Sequence, residues 1–417
     1  MIKYDVCVIG GGWAGLNAAL LASKRGKSVC LVEKDALGGT CLNRGCIPTK
    51  VFITQSKNGL SFPAMQEKRL AAVARLGKGV ESLLRQAKVT VVRGRGRDIG
   101  PHSIAVEGGE SIDAGAVIIA TGSRPRALPQ LPLDGKKLIS SDDFFSLSEL
   151  PGNWLVVGGG VIGCEFACFL RRMGCSVTVC ELLPRLLAGF EADVSRRLQQ
   201  EMAKSGITVL VGQKVEELDL GAYDKVLLAV GREPVLDGLW ADTAALGTEK
   251  GFISADRQGR TTVPSIYAAG DCIGGYLLAH VAAYEGELAA ANACGDAEKR
   301  DYAAVPASVF TAPEAGAVGL TEAEARTFGA ACQARTVHFL SVGMAHVREE
   351  TAGFVKVIAE EGSGRVLGAH IIGPEASELV NIFSLIVKNK MTVKDIRHTI
   401  FAHPSISEVI GEIARAF

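Results

Sequence analysis

The sequence predicts an α/β protein, with two Rossmann-like units followed by a C-terminal α+β domain. Three observations carry that prediction. A strand, a glycine turn, a helix, a strand and an acidic residue occur in order near the N-terminus. They recur at a constant offset of 148 residues, from Gly12 to Gly160 and from Glu33 to Glu181. Ala120-Thr121-Gly122-Ser123-Arg124-Pro125 is echoed by Ala229-Val230-Gly231-Arg232-Glu233-Pro234, each after an apolar strand. Beyond about Tyr302 the glycine fingerprints stop, and a hairpin pattern and amphipathic helices replace them.

Composition narrows the function. A chain of 417 residues exceeds one hydrophobic core and calls for about two to four domains. Its 45 basic and 45 acidic residues cancel, so neither nucleic acid nor an anionic membrane is expected as partner. No apolar run approaches the ~18 residues of a spanning helix. Gly10-Gly11-Gly12 interrupts the apolar start and no small-residue cleavage site follows, so no signal peptide is expected. The 11 cysteines are odd in number and scattered through apolar segments such as Val6-Cys7-Val8. They do not form a secreted disulfide framework, and most read as buried thiols in a reducing cytoplasm.

Taken in order, residues 4–9 read as a buried parallel strand. Gly10, Gly12 and Gly15 supply the G-x-G-x-x-G turn, followed by a helix over 16–25, a strand over 28–32 and Glu33. In that context the glycines bring backbone against a pyrophosphate at a helix N-terminus, and Glu33 accepts from a ribose diol. The second copy runs through a strand at 153–157, Gly158, Gly160 and Gly163, a helix over 164–173, a strand at 176–180 and Glu181. Two copies imply two different dinucleotides. Residues 265–271 form a further strand ending in Gly270-Asp271, and a helix over 278–294 follows. This block is expected to complete the first domain. The expected domains are therefore 1–145 completed by 264–300, then 146–263, then 301–417. In the last, strands at 354–359 and 366–372 flank a turn at 361–364, with helices over 377–389 and 392–400.

Gly38-Gly39-Thr40-Cys41-Leu42-Asn43-Arg44-Gly45-Cys46-Ile47-Pro48-Thr49-Lys50 holds two cysteines five positions apart. In a regular helix they would stand about 8 Å apart, beyond the roughly 7 Å that a disulfide tolerates. On spacing alone they are either unrelated thiols at a helix start or a pair on backbone tighter than a helix. Gly45 permits the second arrangement, and Pro48 suits the first turn of a following helix.

The ordered set of first fingerprint, C-x4-C, second fingerprint and C-terminal His403-Pro404 with Glu408 closely resembles the flavoprotein disulfide reductases, the class I pyridine nucleotide-disulfide oxidoreductases. The likeness covers nearly the whole chain. Within that family, GGTCLNRGCIPTK and HPSISE look most like the dihydrolipoyl dehydrogenases. The resemblance implies two cofactors, FAD on the first domain and NAD on the second, with the third serving dimerisation. It assigns Gly10, Gly12, Gly15 and Glu33 to the ADP half of FAD, with Thr121, Gly122 and Asp271 also on its site. Gly158, Gly160, Gly163, Glu181 and Gly231 go to NAD. It implies a redox-active Cys41–Cys46 disulfide, with Cys46 as the charge-transfer thiolate beside the flavin and Cys41 as the interchange thiol. Lys50 would pair with Glu165 near the flavin. His403 would be the acid/base oriented by Glu408, working in the other subunit of an obligate homodimer. The implied reaction is dihydrolipoamide plus NAD giving lipoamide plus NADH, on free dihydrolipoamide or a lipoylated carrier protein.

The residue types suit that chemistry. Exchange needs a thiolate attacker. A histidine near neutral pKa can deprotonate a dithiol, and a carboxylate behind it fixes the tautomer. An acid at position 181 accepts from a ribose 2′-OH and repels a 2′-phosphate, favouring NAD over NADP; Arg185 reads as a solvated charge. His280, His338, His346 and His370 read as structural or exposed, and His398 as a surface residue. Cys164, Cys168, Cys175 and Cys180 lack metal-site spacing, and no metal is expected. Against its relatives the chain is short between Lys50 and Arg93 and between Val211 and Asp224. Phe401 stands where they commonly carry a histidine, which suggests a more apolar entrance. A mercuric-reductase-like enzyme is weakened by a C-terminus without a cysteine pair. A catalytically idle subunit of a multienzyme complex would not need Cys41, Cys46, His403 and Glu408 together.

Overall fold

The structure is a computed structural model that describes residues 2–239, 246–329 and 331–417. Contacts divide the chain into two units. The first comprises Met1–Arg126, Ser141–Ser148 and Gly231–Arg300; the second comprises Ala127–Ser140, Glu149–Val230 and Asp301–Phe417.

The first unit is built on a mixed sheet. Ile2–Ile9 lies between Val29–Glu33 and Ile112–Ile119, parallel to both; Thr90–Arg93 extends one side, and Ser103–Val106 runs antiparallel on the other. Ile266–Ala268 returns from far along the chain to pair parallel with Ile112–Ile119. The inner strands are buried on both faces, which is why they read as unbroken apolar runs rather than alternating ones. On one face, helices Trp13–Lys24 and Ala279–Ala293 pack through Ala14, Ala18, Ala22, Ala282 and Ala289. They approach so closely that a Cβ on Gly286 would fall 2.0 Å from the Ala14 carbonyl oxygen. Small residues are required there by geometry.

The second unit holds two sheets. Thr208–Val211, Ser176–Glu181, Asn153–Val157, Lys225–Leu228 and Leu138–Ser140 form a parallel sheet in that order. Helix Val161–Arg172 buries Cys164 and Cys168 in packing. The segment after Val211, short against its relatives, contains two short 3-10 turns, Val215–Glu217 and Leu220–Ala222. An antiparallel sheet then runs Ala307–Val309, Glu314–Gly319, Val366–Gly373, Phe354–Glu360 and Cys332–His338. Helices Ala376–Lys388 and Glu408–Arg415 contribute Leu379, Val380, Phe383, Val409, Ile410 and Ile413 to its core. The helix expected over 392–400 is shorter, Val393–Arg397, started by a Thr392/Asp395 capping box.

This unit holds an ion cluster around a buried lysine. Lys356 is 7% exposed, and its Nζ lies 3.0 Å from Glu191, 2.9 Å from Asp193 and 2.8 Å from Glu322. Burial alone would lower the ammonium's pKa, but the three carboxylates outweigh it and raise it. His370 is also buried, hydrogen-bonded through Nε2 to the Leu320 carbonyl. Among the described residues no helix is long and apolar enough to cross a membrane.

Candidate active site

The two glycine turns are copies of one another in three dimensions as well as in sequence. Gly10 has φ +104° and Gly158 φ +110°, the left-handed side that favours glycine. A Cβ on Gly15 would sit 1.8 Å from the Gly10 carbonyl oxygen, and one on Gly163 1.9 Å from that of Gly158. By contrast, a Cβ on Gly12 would meet nothing nearer than 4.0 Å, and one on Gly160 nothing at all. The outer glycines are thus packed against backbone, while the middle ones leave open space at a helix N-terminus. That is the cradle a pyrophosphate needs. Each turn is tied to its acidic residue. Glu33 accepts from Gly11 N–H at 2.6 Å and from Asp35 N–H at 2.7 Å. Glu181 accepts from Gly159 N–H at 2.5 Å and from Leu183 N–H at 2.7 Å. A carboxylate has about four acceptor sites, so each retains capacity for a ribose diol.

Beside the first turn, a Cβ on Gly10 would lie 3.2 Å from the Thr121 backbone nitrogen. Thr121 Oγ1 is buried without a hydrogen-bond partner, a group that a bound dinucleotide would satisfy. Asp271 accepts from Ser123 Oγ at 2.5 Å, and Arg232 donates to the same hydroxyl from Nε at 2.7 Å and to the Ser123 carbonyl from Nη2 at 2.9 Å. Strands Ser123–Pro125 and Arg232–Pro234 pair antiparallel, so the two echoed Gly-x-x-Pro segments meet. Gly122 and Gly231 both have positive φ there, +71° and +106°. Ser123 and Arg232 were not among the expected site residues. Their signal was the echo itself, in which each directly follows the repeated glycine.

The cysteines stand on two helices, not one. Helix Gly39–Arg44 carries Cys41, and helix Cys46–Lys57 opens with Cys46. The break falls at Gly45, where an added Cβ would come 2.9 Å from the Thr40 carbonyl oxygen. The chain therefore tightens where only glycine fits, and both cysteines are free thiols. The Cys46 partner and burial push the Cys41 thiol well up, while Trp13 and Lys50 pull the other way. Cys46 at the first position of a twelve-residue helix faces the positive end of its dipole. Phe52, one and a half turns on, is 1% exposed and packs against Phe62, Phe144 and Phe145 with ring centroids 5.4–6.1 Å apart. That aromatic group braces the cysteine-bearing helix against the long helix Phe62–Gln86.

His403 Nδ1 lies 2.8 Å from Glu408 Oε1, and Glu408 Oε2 accepts from Ser405 N–H at 2.9 Å. The Ser405 amide first, then His403, hold the Glu408 carboxyl below its usual range. The His403 side chain is 79% exposed, while its Nδ1 is engaged by the carboxylate. Nε2 therefore faces outward. Glu165 is 3% exposed and accepts from Phe310 N–H at 2.9 Å. Lys50 belongs to the first unit and Glu165 to the second. Phe401 is half-buried and packs on the C-terminal core, 3.2 Å from where a Gly411 Cβ would lie.

Residues 4–286 match the family model described as pyridine nucleotide-disulphide oxidoreductase. Residues 305–414 match the dimerisation domain of the same family. The chain belongs to this family. Its relatives in that family include a dihydrolipoyl dehydrogenase of Bacillus subtilis, 35% identical over 99% of this chain and 98% of the relative. One from Chlorobaculum parvum is 38% identical over 99% and 97%. Among solved structures, the HOCl-induced flavoprotein disulfide reductase RclA from Escherichia coli superposes with TM-score 0.92 at 28% identity, covering 99% of each chain. LpdA from Mycobacterium tuberculosis gives 0.92 and 28% over 100% of this chain and 99% of that one. As a pyridine nucleotide-disulphide oxidoreductase, the protein takes FAD and NAD as cofactors, and its two glycine cradles provide for two dinucleotides.

Proposed function

We propose that the protein oxidises dihydrolipoyl groups with NAD as an obligate homodimer, with FAD on the first glycine turn and NAD on the second. The observation that carries this is the Cys41–Cys46 thiol pair, drawn together by the break at Gly45 inside the unit that bears the first turn. Full-length likeness to dihydrolipoyl dehydrogenases supports the choice of dithiol. The cofactor roles of Gly10, Gly12, Gly15, Glu33, Thr121, Gly122 and Asp271 toward FAD, and of Gly158, Gly160, Gly163, Glu181 and Gly231 toward NAD, belong to this reading. So does a pairing of Lys50 with Glu165 beside the flavin.

The exchange starts from the Cys41–Cys46 disulfide. One substrate thiolate attacks Cys41 Sγ, the S–S bond breaks, and Cys46 leaves as a thiolate stabilised at its helix N-terminus. Nε2 of His403 of the partner subunit takes the proton of the second substrate thiol, with Glu408 fixing the tautomer and steadying the imidazolium. The second thiolate attacks the substrate sulfur of the mixed disulfide, closes the lipoyl ring and releases Cys41. Bound FAD supplies the route by which the thiol pair's two electrons reach NAD as hydride.

His403→Gln tests the assignment. With dihydrolipoamide and NAD, turnover should fall on the order of 10²–10⁴-fold. The loss should fall on the dithiol half-reaction, with NADH-driven dye reduction as the comparison. An equal loss in both would remove His403 from the exchange step. Preference for glutathione disulfide with NADPH, or for mercuric ion, would favour a related reductase instead.

A further inference from the structure

The second glycine turn is held by the loop that follows Glu181. Leu187 N–H donates to the Gly159 carbonyl at 2.9 Å. A Cβ on Gly159 would fall 2.5 Å from Leu186 Cδ2 and 3.0 Å from Glu181 Cβ. The first turn has a matching contact, with Gly38 N–H on the Gly11 carbonyl at 2.8 Å. The two copies differ in the residue that makes it. Gly38 takes its φ of +89° freely, whereas Leu187 stands at φ +45°, on the side that a residue with a side chain rarely adopts. Such a residue persists only where its surroundings over-determine it. Toward the C-terminus, those surroundings are the ion cluster. Phe190 N–H donates to the Leu187 carbonyl at 2.8 Å, and the next residue, Glu191, caps helix Ala192–Lys204. Both carboxylate oxygens of Glu191 are engaged by the C-terminal part of the chain. Oε1 lies 3.0 Å from Lys356 Nζ, and Oε2 accepts from Glu322 N–H at 3.0 Å. Leu186, Leu187, Phe190 and Glu191 are all buried, so the path from Lys356 to the glycine turn is packed throughout.

We infer that Lys356 is a positioning residue for the nicotinamide dinucleotide. By fixing Glu191 it keeps Leu187 in its strained conformation, and through Leu187 it keeps the turn at Gly158–Gly163 and the Glu181 carboxylate in binding geometry. The inference rests on the second turn being the NAD site. Lys356 acts through the loop and needs no contact with the dinucleotide. Loss of the ammonium leaves the Glu191 carboxylate buried without its counter-charge, so Glu191 moves toward solvent. Leu187 can then relax, and the hydrogen bond to Gly159 is lost in part of the population. The dinucleotide binds the seated fraction alone, so its apparent affinity falls in proportion.

Lys356→Met removes the charge and keeps most of the stem. On oxidised holoenzyme, equilibrium dialysis should show the NAD dissociation constant raised about tenfold. The KM for NAD should rise by a similar factor and exceed any fall in kcat. With no dinucleotide present, the Leu187 amide hydrogen should exchange with deuterium about tenfold faster. Phe383→Ala controls for stability alone. Phe383 is fully buried in the C-terminal core and takes no part in the ion cluster, and its removal carries a comparable stability cost. It should leave NAD affinity and Leu187 exchange in place. An unmoved dissociation constant in Lys356→Met, or an equal weakening in Phe383→Ala, overturns the proposal. Should Lys356→Met fail to fold, Glu191→Gln loosens the same link with a smaller change and has to weaken NAD in its place. Wild-type enzyme shows which level fails. If it binds NADPH and not NAD, the functional reading falls. If it binds NAD and Lys356→Met binds it equally well, the role of Lys356 alone fails.

Discussion

Cys41→Ser should bind FAD and lose dihydrolipoamide oxidation by on the order of 10⁴-fold or more, the scale seen when a covalent nucleophile is removed. The hydroxyl is close in size to the thiol, so the helix break at Gly45 and the packing of Leu42 should survive. The chemistry cannot, because oxygen forms no disulfide with Cys46 and no mixed disulfide with substrate. NADH-driven reduction of a one-electron dye, which does not pass through the cysteines, should remain measurable. Turnover with dithiol at the wild-type rate would refute the interchange role.

Lys356→Ala should destabilise the protein by about 3–5 kcal/mol, because it leaves the buried Glu191 carboxylate without its counter-charge. Glu191 is 6% exposed and shares the ammonium with Asp193 and Glu322. For a unit of this size that corresponds to a fall of about 10 °C in unfolding midpoint. The pH dependence has a definite sign. The hydrogen bond from Lys356 is the largest cause holding the Asp193 carboxyl below its usual range. A carboxylate depressed in the folded state contributes stability above its unfolded value near pH 4, and loses it as pH falls through the folded value. The gap between wild type and variant should therefore be full at neutral pH and shrink below about pH 4. A midpoint within a degree or two of wild type at pH 7 would contradict the account.

What the sequence displayed was whatever local geometry forces. Gly10 and Gly158 need left-handed backbone, and Gly15 and Gly163 have no room for a Cβ, so the repeat of 148 residues was legible from glycine alone. The Cys41–Cys46 segment was legible because its chemistry sits within a few residues. Helix starts were less visible. The first helix begins at Trp13 rather than near Leu16, because the residue after the turn is already helical while its side chain looks outward. Contacts made across long separations were hidden. Ser123 and Asp271 are 148 residues apart, and Lys356 and Glu191 are 165 apart. A single sequence gives no signal that joins such pairs.

The most direct test of the central claim is an anaerobic titration of the purified holoenzyme with dihydrolipoamide, followed by NAD. The flavin absorbance should change with dithiol at about one equivalent per active site, with a long-wavelength band appearing beside it. Added NAD should then return the oxidised spectrum and yield a matching amount of NADH. A flavin that stays unchanged with excess dihydrolipoamide, yet responds to NADH, would contradict the claim.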